Sequence, residues 1–236
     1  MTLATSHVLI VGGTKGIGRA TVVAALSAGA CVTATGRSAE SLRALPDGAV
    51  GVALDFTDPV SVAALGPRVG PVDHLVLSAS HAPAWGGFAE VSEEALRAAF
   101  EAKFWGYWRV IRAVAPRLSA TGSVTLVTGA AARAALPGTS GLAAVNGAIE
   151  AMAKVLAAEL APRRFNTVSP GMTATEAYEG LPDAARNGMF AAAAAKLPAG
   201  RIGAADDIAA AIVMAMANPF LTGATLDVDG GAHLAR

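Results

Sequence analysis

The sequence predicts an α/β fold, a single doubly wound domain whose seven-stranded parallel sheet carries helices on both faces, and three observations predict it. Short β-branched runs bounded by turn residues alternate with longer alanine-rich segments. The strand runs are apolar throughout rather than alternating, as strands buried on both faces must be. The 236 residues show no charge run, Ser/Pro-rich linker or compositional break, so one domain over 1–236 accounts for them.

The strand runs are 7–11, 31–35, 50–54, 74–77, 124–127, 165–168 and 225–228. Between them the spacing of apolar residues predicts helices over about 17–28, 39–44, 58–65, 92–118, 139–160 and 204–217. Alanine runs such as 191–195 are read as helix surface that packs closely on the sheet rather than as low complexity. Cys31, the single cysteine, falls inside an apolar strand run, where a structural thiol is expected.

Composition narrows the function. Hydrophobic residues make up 53% and charged residues 15%, and the formal net charge is zero, so nothing favours nucleic acid or an anionic membrane surface. The first seven residues lack a cationic start with an apolar core, and no apolar run reaches the roughly 18 residues of a membrane span. A cytoplasmic protein acting on a small molecule is the expectation, with no metal.

After the first strand comes Val11-Gly12-Gly13-Thr14-Lys15-Gly16-Ile17-Gly18-Arg19-Ala20. Strand, glycine-rich turn and helix start, in that order, turn backbone N–H groups and a helix N-terminus toward a pyrophosphate without side chains in the way. The wide Gly12, Gly16, Gly18 spacing resembles that of the short-chain dehydrogenase/reductase family, a Rossmann-type fold, and the resemblance runs along nearly the whole chain. Ala157-Ala158-Glu159-Leu160-Ala161-Pro162, Ser169-Pro170-Gly171-Met172-Thr173-Ala174-Thr175 and Leu226-Asp227-Val228-Asp229-Gly230-Gly231 are further stations of it.

The resemblance implies a nicotinamide dinucleotide. Where NAD-preferring relatives carry a ribose-binding acid, this chain has Gly36, followed by Arg37 and Ser38. A guanidinium can clamp a 2′-phosphate and Lys15 can add a second charge, so NADP(H) is expected over NAD(H). Asp55, before Phe56, is similar to the residue that meets the adenine amino group, with a helix cap as its other reading. Ser78 and Ala79 stand in the place of the family's Asn-Asn-Ala-Gly signature. Pro170, Gly171, Thr173 and Thr175 look like the segment that wraps the nicotinamide carboxamide.

At the reaction end the resemblance implies four groups that this chain lacks. Lys103 stands in the asparagine place, Gly129 in the serine place, Leu142 in the tyrosine place and Asn146 in the lysine place. Asn146 is expected to hydrogen-bond the nicotinamide ribose, although a neutral amide supplies no positive field. Bound donor and acceptor alone can supply roughly 7–11 kcal/mol by proximity, so an atypical reductase is the expectation, with a carbonyl, iminium, quinone or enone as substrate. His81 and Lys103 are the candidate proton donors, each with a merely structural alternative; Ser140 and Thr128 are lesser ones. The other class left open is a dinucleotide-binding pseudoenzyme acting as sensor or scaffold.

Tyr178 and Trp85 are read as pocket-shaping aromatics, the former in a substrate lid at about 172–200. His7, His74 and His233 receive no role. Phe104-Trp105-Gly106-Tyr107-Trp108 cannot point wholly inward, and so a homodimer or homotetramer through helices around 92–118 and 139–160 is expected.

Overall fold

Strand β1 (His7–Val11) shows why the sheet is apolar on both sides. Its Val8 and Ile10 pack in one core cluster with Val22, Ile208 and Ile212, whereas Leu9 and Val11 pack in a second with Tyr107, Ile111 and Ile149. The computed structural model describes residues 2–79 and 84–234.

From β1 the chain runs through α1 (Gly16–Ser27), β2 (Cys31–Gly36), α2 (Ala39–Arg43), β3 (Ala49–Ala53), the short helices α3 (Pro59–Ala63) and α4 (Leu65–Val69), and β4 (Val72–Leu77). The second half holds α5 (Glu93–Ala99), a π-helical stretch (Phe100–Trp105), α6 (Gly106–Val114), β5 (Leu118–Val127), α7 (Ser140–Glu159) and β6 (Arg164–Pro170). It closes with β7 (Thr173–Ala174), α8 (Asp183–Ala194), β8 (Gly203–Ala204), α9 (Ala205–Ala217) and β9 (Thr225–Val228). The main sheet has the order β3-β2-β1-β4-β5-β6-β9 and is parallel throughout, as expected. One face is covered by α1 and α9, which pack on each other, and the other by α5 to α7.

Four expectations are corrected. The helix expected over 92–118 is interrupted by the π turn and stops short of Leu118, where β5 begins, earlier than the apolar run at 124 suggested. The 58–65 helix is really two short helices. The alanines at 191–195 do not pack on the sheet: they end α8, a helix with no buried residue. Cys31 is exposed rather than buried, because it is the first residue of β2 and precedes the buried part of that strand.

The long helix α7 is the one described helix whose length and composition would suit a membrane span. Val145, Ile149 and Ala153 instead give it an apolar stripe buried in the core, with Asn146 and Glu150 beside them.

Candidate active site

The sheet order reverses between β1 and β4, and above the carboxyl ends of the strands lies a crevice of about 620 Å³. Its phosphate end is made by the β1–α1 turn. A Cβ on Gly12 would sit 2.7 Å from the Ala79 backbone, and one on Gly18 would sit 2.0 Å from the Gly12 carbonyl oxygen. Both positions are therefore closed to side chains, and Gly12, at φ +83°, also needs glycine's conformational freedom. The Gly16 N–H, in the first turn of α1, donates to the Glu176 carboxylate at 2.9 Å. A side-chain anion thus already rests on the end of the helix that attracts anions, an observation that fits phosphate binding there.

On the adenosine side, Gly36 ends β2 with no room for a Cβ, which would meet Thr14 Cγ2 at 2.5 Å. Arg37 and Lys15 follow at the rim, both exposed. Asp55 Oδ1 accepts from the Thr57 hydroxyl at 2.6 Å and its N–H at 3.0 Å, bonds that hold the Asp55 carboxyl below its ordinary range. The helix-capping alternative belongs to its neighbour Asp58, which accepts from the Val60 and Ser61 N–H groups. Ser38 caps α2 by accepting from Ser41 N–H, and it is absent from the crevice wall. Of the residues expected to hold cofactor, all but Ser38 and Asn146 line the crevice.

At the other end stands Lys103. Ala99, Lys103, Tyr107, Val110, Ile111 and Val114 form one buried stripe, and the steps of four from 99 to 107 fit the wider π turn. Lys103 Nζ donates to Asn146 Oδ1 at 2.7 Å and to the Thr128 carbonyl at 3.0 Å. Burial pushes the ammonium down to about 8, opposed by the charge of Glu150. Asn146 accordingly serves Lys103 rather than the crevice directly. Its Nδ2 would lie 3.0 Å from any Cβ on Gly129, so the missing side chain at Gly129 makes room for it.

Behind this pair, the Thr128 hydroxyl donates to Glu150 Oε1 at 3.1 Å, Glu150 faces Arg133 at 3.8 Å, and Arg133 pairs with Asp227 at 2.9 Å. Burial raises the Glu150 carboxyl, and the Thr128 bond opposes that rise. Leu142 and Ser140 do not line the crevice, whereas Thr128 and the half-buried Tyr178 do. Trp85 is exposed. His81 lies outside the described residues.

Among the lining residues that the sequence does not point to, two bear on the chemistry, Glu176 and Tyr107. Glu176 was hidden because its partner is 160 positions away. In the sequence Tyr107 belongs to an aromatic cluster, and the signal that sets it apart is the stripe of four-residue steps that it shares with Lys103. Its hydroxyl donates to the Val127 carbonyl at 3.2 Å, and burial raises the phenol, so it is a fixed, protonated group. Trp105 and Trp108 are exposed, the first edge-on to Phe104 and the second stacked on it, while Tyr107 is the buried aromatic of the cluster.

Known proteins share this architecture. A family model described as enoyl-(acyl carrier protein) reductase matches residues 11–233. The chain is 31% identical to a short-chain dehydrogenase/reductase of Stachybotrys chlorohalonatus over 99% of both chains, and 32% identical to L-xylulose reductase of Mus musculus over 97% of both. A crystal structure of a small-chain dehydrogenase in complex with NADPH superposes with a TM-score of 0.86 at 36% identity, covering 98% of this chain and 100% of the other.

Proposed function

The chain belongs to the short-chain dehydrogenase/reductase family, and from that premise we propose that it is an NADP(H)-dependent oxidoreductase with a non-standard active site, acting on a small or medium apolar carbonyl, iminium, quinone or enone. The observation that carries this reading is one continuous crevice with an anion-attracting turn at one end and a buried ammonium at the other. Such a span suits a dinucleotide whose phosphates sit on the turn.

Gly12, Gly16 and Gly18 with Thr14 and Ile17 would hold the pyrophosphate, Arg37 and Lys15 the 2′-phosphate, and Asp55 and Phe56 the adenosine. Pro170, Gly171, Thr173 and Thr175 would frame the nicotinamide. When bound, the dinucleotide supplies a hydride; Lys103 or His81 supplies the proton. The relative crystallised with NADPH supports the choice of coenzyme. A homodimer or homotetramer through the exposed Trp105 and Trp108 face, and a cytoplasmic location suited to an exposed free thiol, complete the proposal.

Calorimetric titration with NADPH and NADH, followed by NADPH consumption on a substrate panel, tests it. Losing a charge-assisted pair worth about 1.5–3 kcal/mol, Arg37→Ala is expected to weaken NADPH about 10- to 100-fold while leaving NADH unchanged. NADPH binding with no consumption on any substrate would favour the pseudoenzyme instead.

A further inference from the structure

An ammonium carries three N–H donors, and Lys103 spends two, on Asn146 and on the Thr128 carbonyl. The side chain is buried yet lines the crevice, so the third donor is available to whatever enters. Among the described residues no carboxylate hydrogen-bonds to it. Glu150 on α7 is the nearest counter-charge in effect, and it is held by the Thr128 hydroxyl and offset by Arg133, with Asp227 behind and Lys154 on the same helix. Four positions on, along the same buried stripe, the Tyr107 phenol is engaged with the Val127 carbonyl. The crevice floor is thus positively charged, with little water to screen it.

Resting on the oxidoreductase reading above, we propose that Lys103 is the proton donor of this site, positioned by Asn146 and Thr128, and that its charge selects neutral oxygen electrophiles (ketones, quinones, enones) over iminium ions. With a ketone, the hydride supplied by NADPH bonds to the carbonyl carbon and the C=O π pair moves to oxygen. That oxygen takes a proton from Lys103 Nζ, giving the alcohol and NADP⁺, and the amine recovers its proton from water. Negative charge growing on oxygen meets a fixed ammonium that needs no reorganisation. An iminium arrives positive and is repelled by the same group. The lowered affinity of buried Lys103 for its proton, near 8, suits donation around neutrality.

The test uses the whole chain with NADPH, a 1,2-diketone, a p-quinone, an enone and a cyclic iminium. On the neutral substrates kcat is expected to fall about tenfold per pH unit above about pH 8, and Lys103→Gln, which keeps a donor for Asn146 but no charge, to lose about 10²-fold or more. The same variant should reduce the iminium faster than the parent does. A binding measurement adds a readout independent of turnover. Because the NADP⁺ ring is cationic, the parent should prefer NADPH over NADP⁺ by about fivefold or more near pH 6.5, and lose that preference above about pH 9 and in Lys103→Gln.

A flat pH profile together with Lys103→Gln rates within about threefold of the parent would overturn the role of Lys103 while sparing the oxidoreductase reading. Failure of the parent to bind NADPH would overturn both. Should Lys103→Gln not fold, the parent's pH profile and its NADPH preference decide the matter alone.

Discussion

Burial of Lys103 has a thermodynamic signature that can be read without any substrate. Its ammonium titrates near 8 in the folded chain against 10.5 for an unperturbed lysine. Between those values the unfolded chain binds more protons than the folded one, so folding stability rises with pH across that window. The difference of about 2.5 pKa units corresponds to about 3 kcal/mol, the approximate penalty for keeping the charge buried at neutral pH. Lys103→Met removes the titration. It also strips the Asn146 oxygen and the Thr128 carbonyl of a donor, a loss of about 1–3 kcal/mol each that does not vary with pH. Urea unfolding of both proteins at intervals from about pH 7 to about pH 10.5 separates the two effects. The stability difference should move by about 3 kcal/mol toward the parent as pH rises. A difference constant to within about 0.5 kcal/mol would refute the claim that Lys103 is buried in its charged form.

Three other variants probe the rest of the chain. Gly18→Ala places a methyl 2.0 Å from the Gly12 carbonyl oxygen, and a loss of about 2 kcal/mol or more, with abolished NADPH binding, is expected from chemical denaturation and titration calorimetry. Glu176→Gln removes the carboxylate that competes for the Gly16 N–H and should tighten NADPH about 3- to 10-fold by calorimetry. Trp105→Glu with Trp108→Glu on the exposed aromatic face should shift the chain toward monomer in sedimentation velocity, with a melting temperature close to the parent's.

The elements that carry buried apolar stripes were legible in the sequence. All seven strands of the main sheet overlap their apolar runs, because a strand buried on both faces needs an unbroken apolar stretch, although β5 begins well before its run, at Leu118, and the edge strand β3 is largely exposed. Helix α8 was not legible, since none of its residues is buried and periodicity has nothing to register. The π turn was equally silent: Phe100-Glu101-Ala102-Lys103-Phe104-Trp105 has ordinary helical composition, and the wider hydrogen-bond pattern is a tertiary outcome. The glycine turn was legible because its constraint acts on the backbone, where spacing alone records it. Lys103 and Asn146 each stand out in the sequence, but their 2.7 Å contact spans 43 positions and two helices, and only packing brings them together.

The contact between Gly16 and Glu176 has a kinetic side. One N–H cannot serve the Glu176 carboxylate and an arriving phosphate at once, so coenzyme loading is expected to be an exchange rather than a simple docking. At high coenzyme concentration the observed association rate should therefore level off at the frequency with which residue 176 lets go, making the segment after β7 the clock for entry.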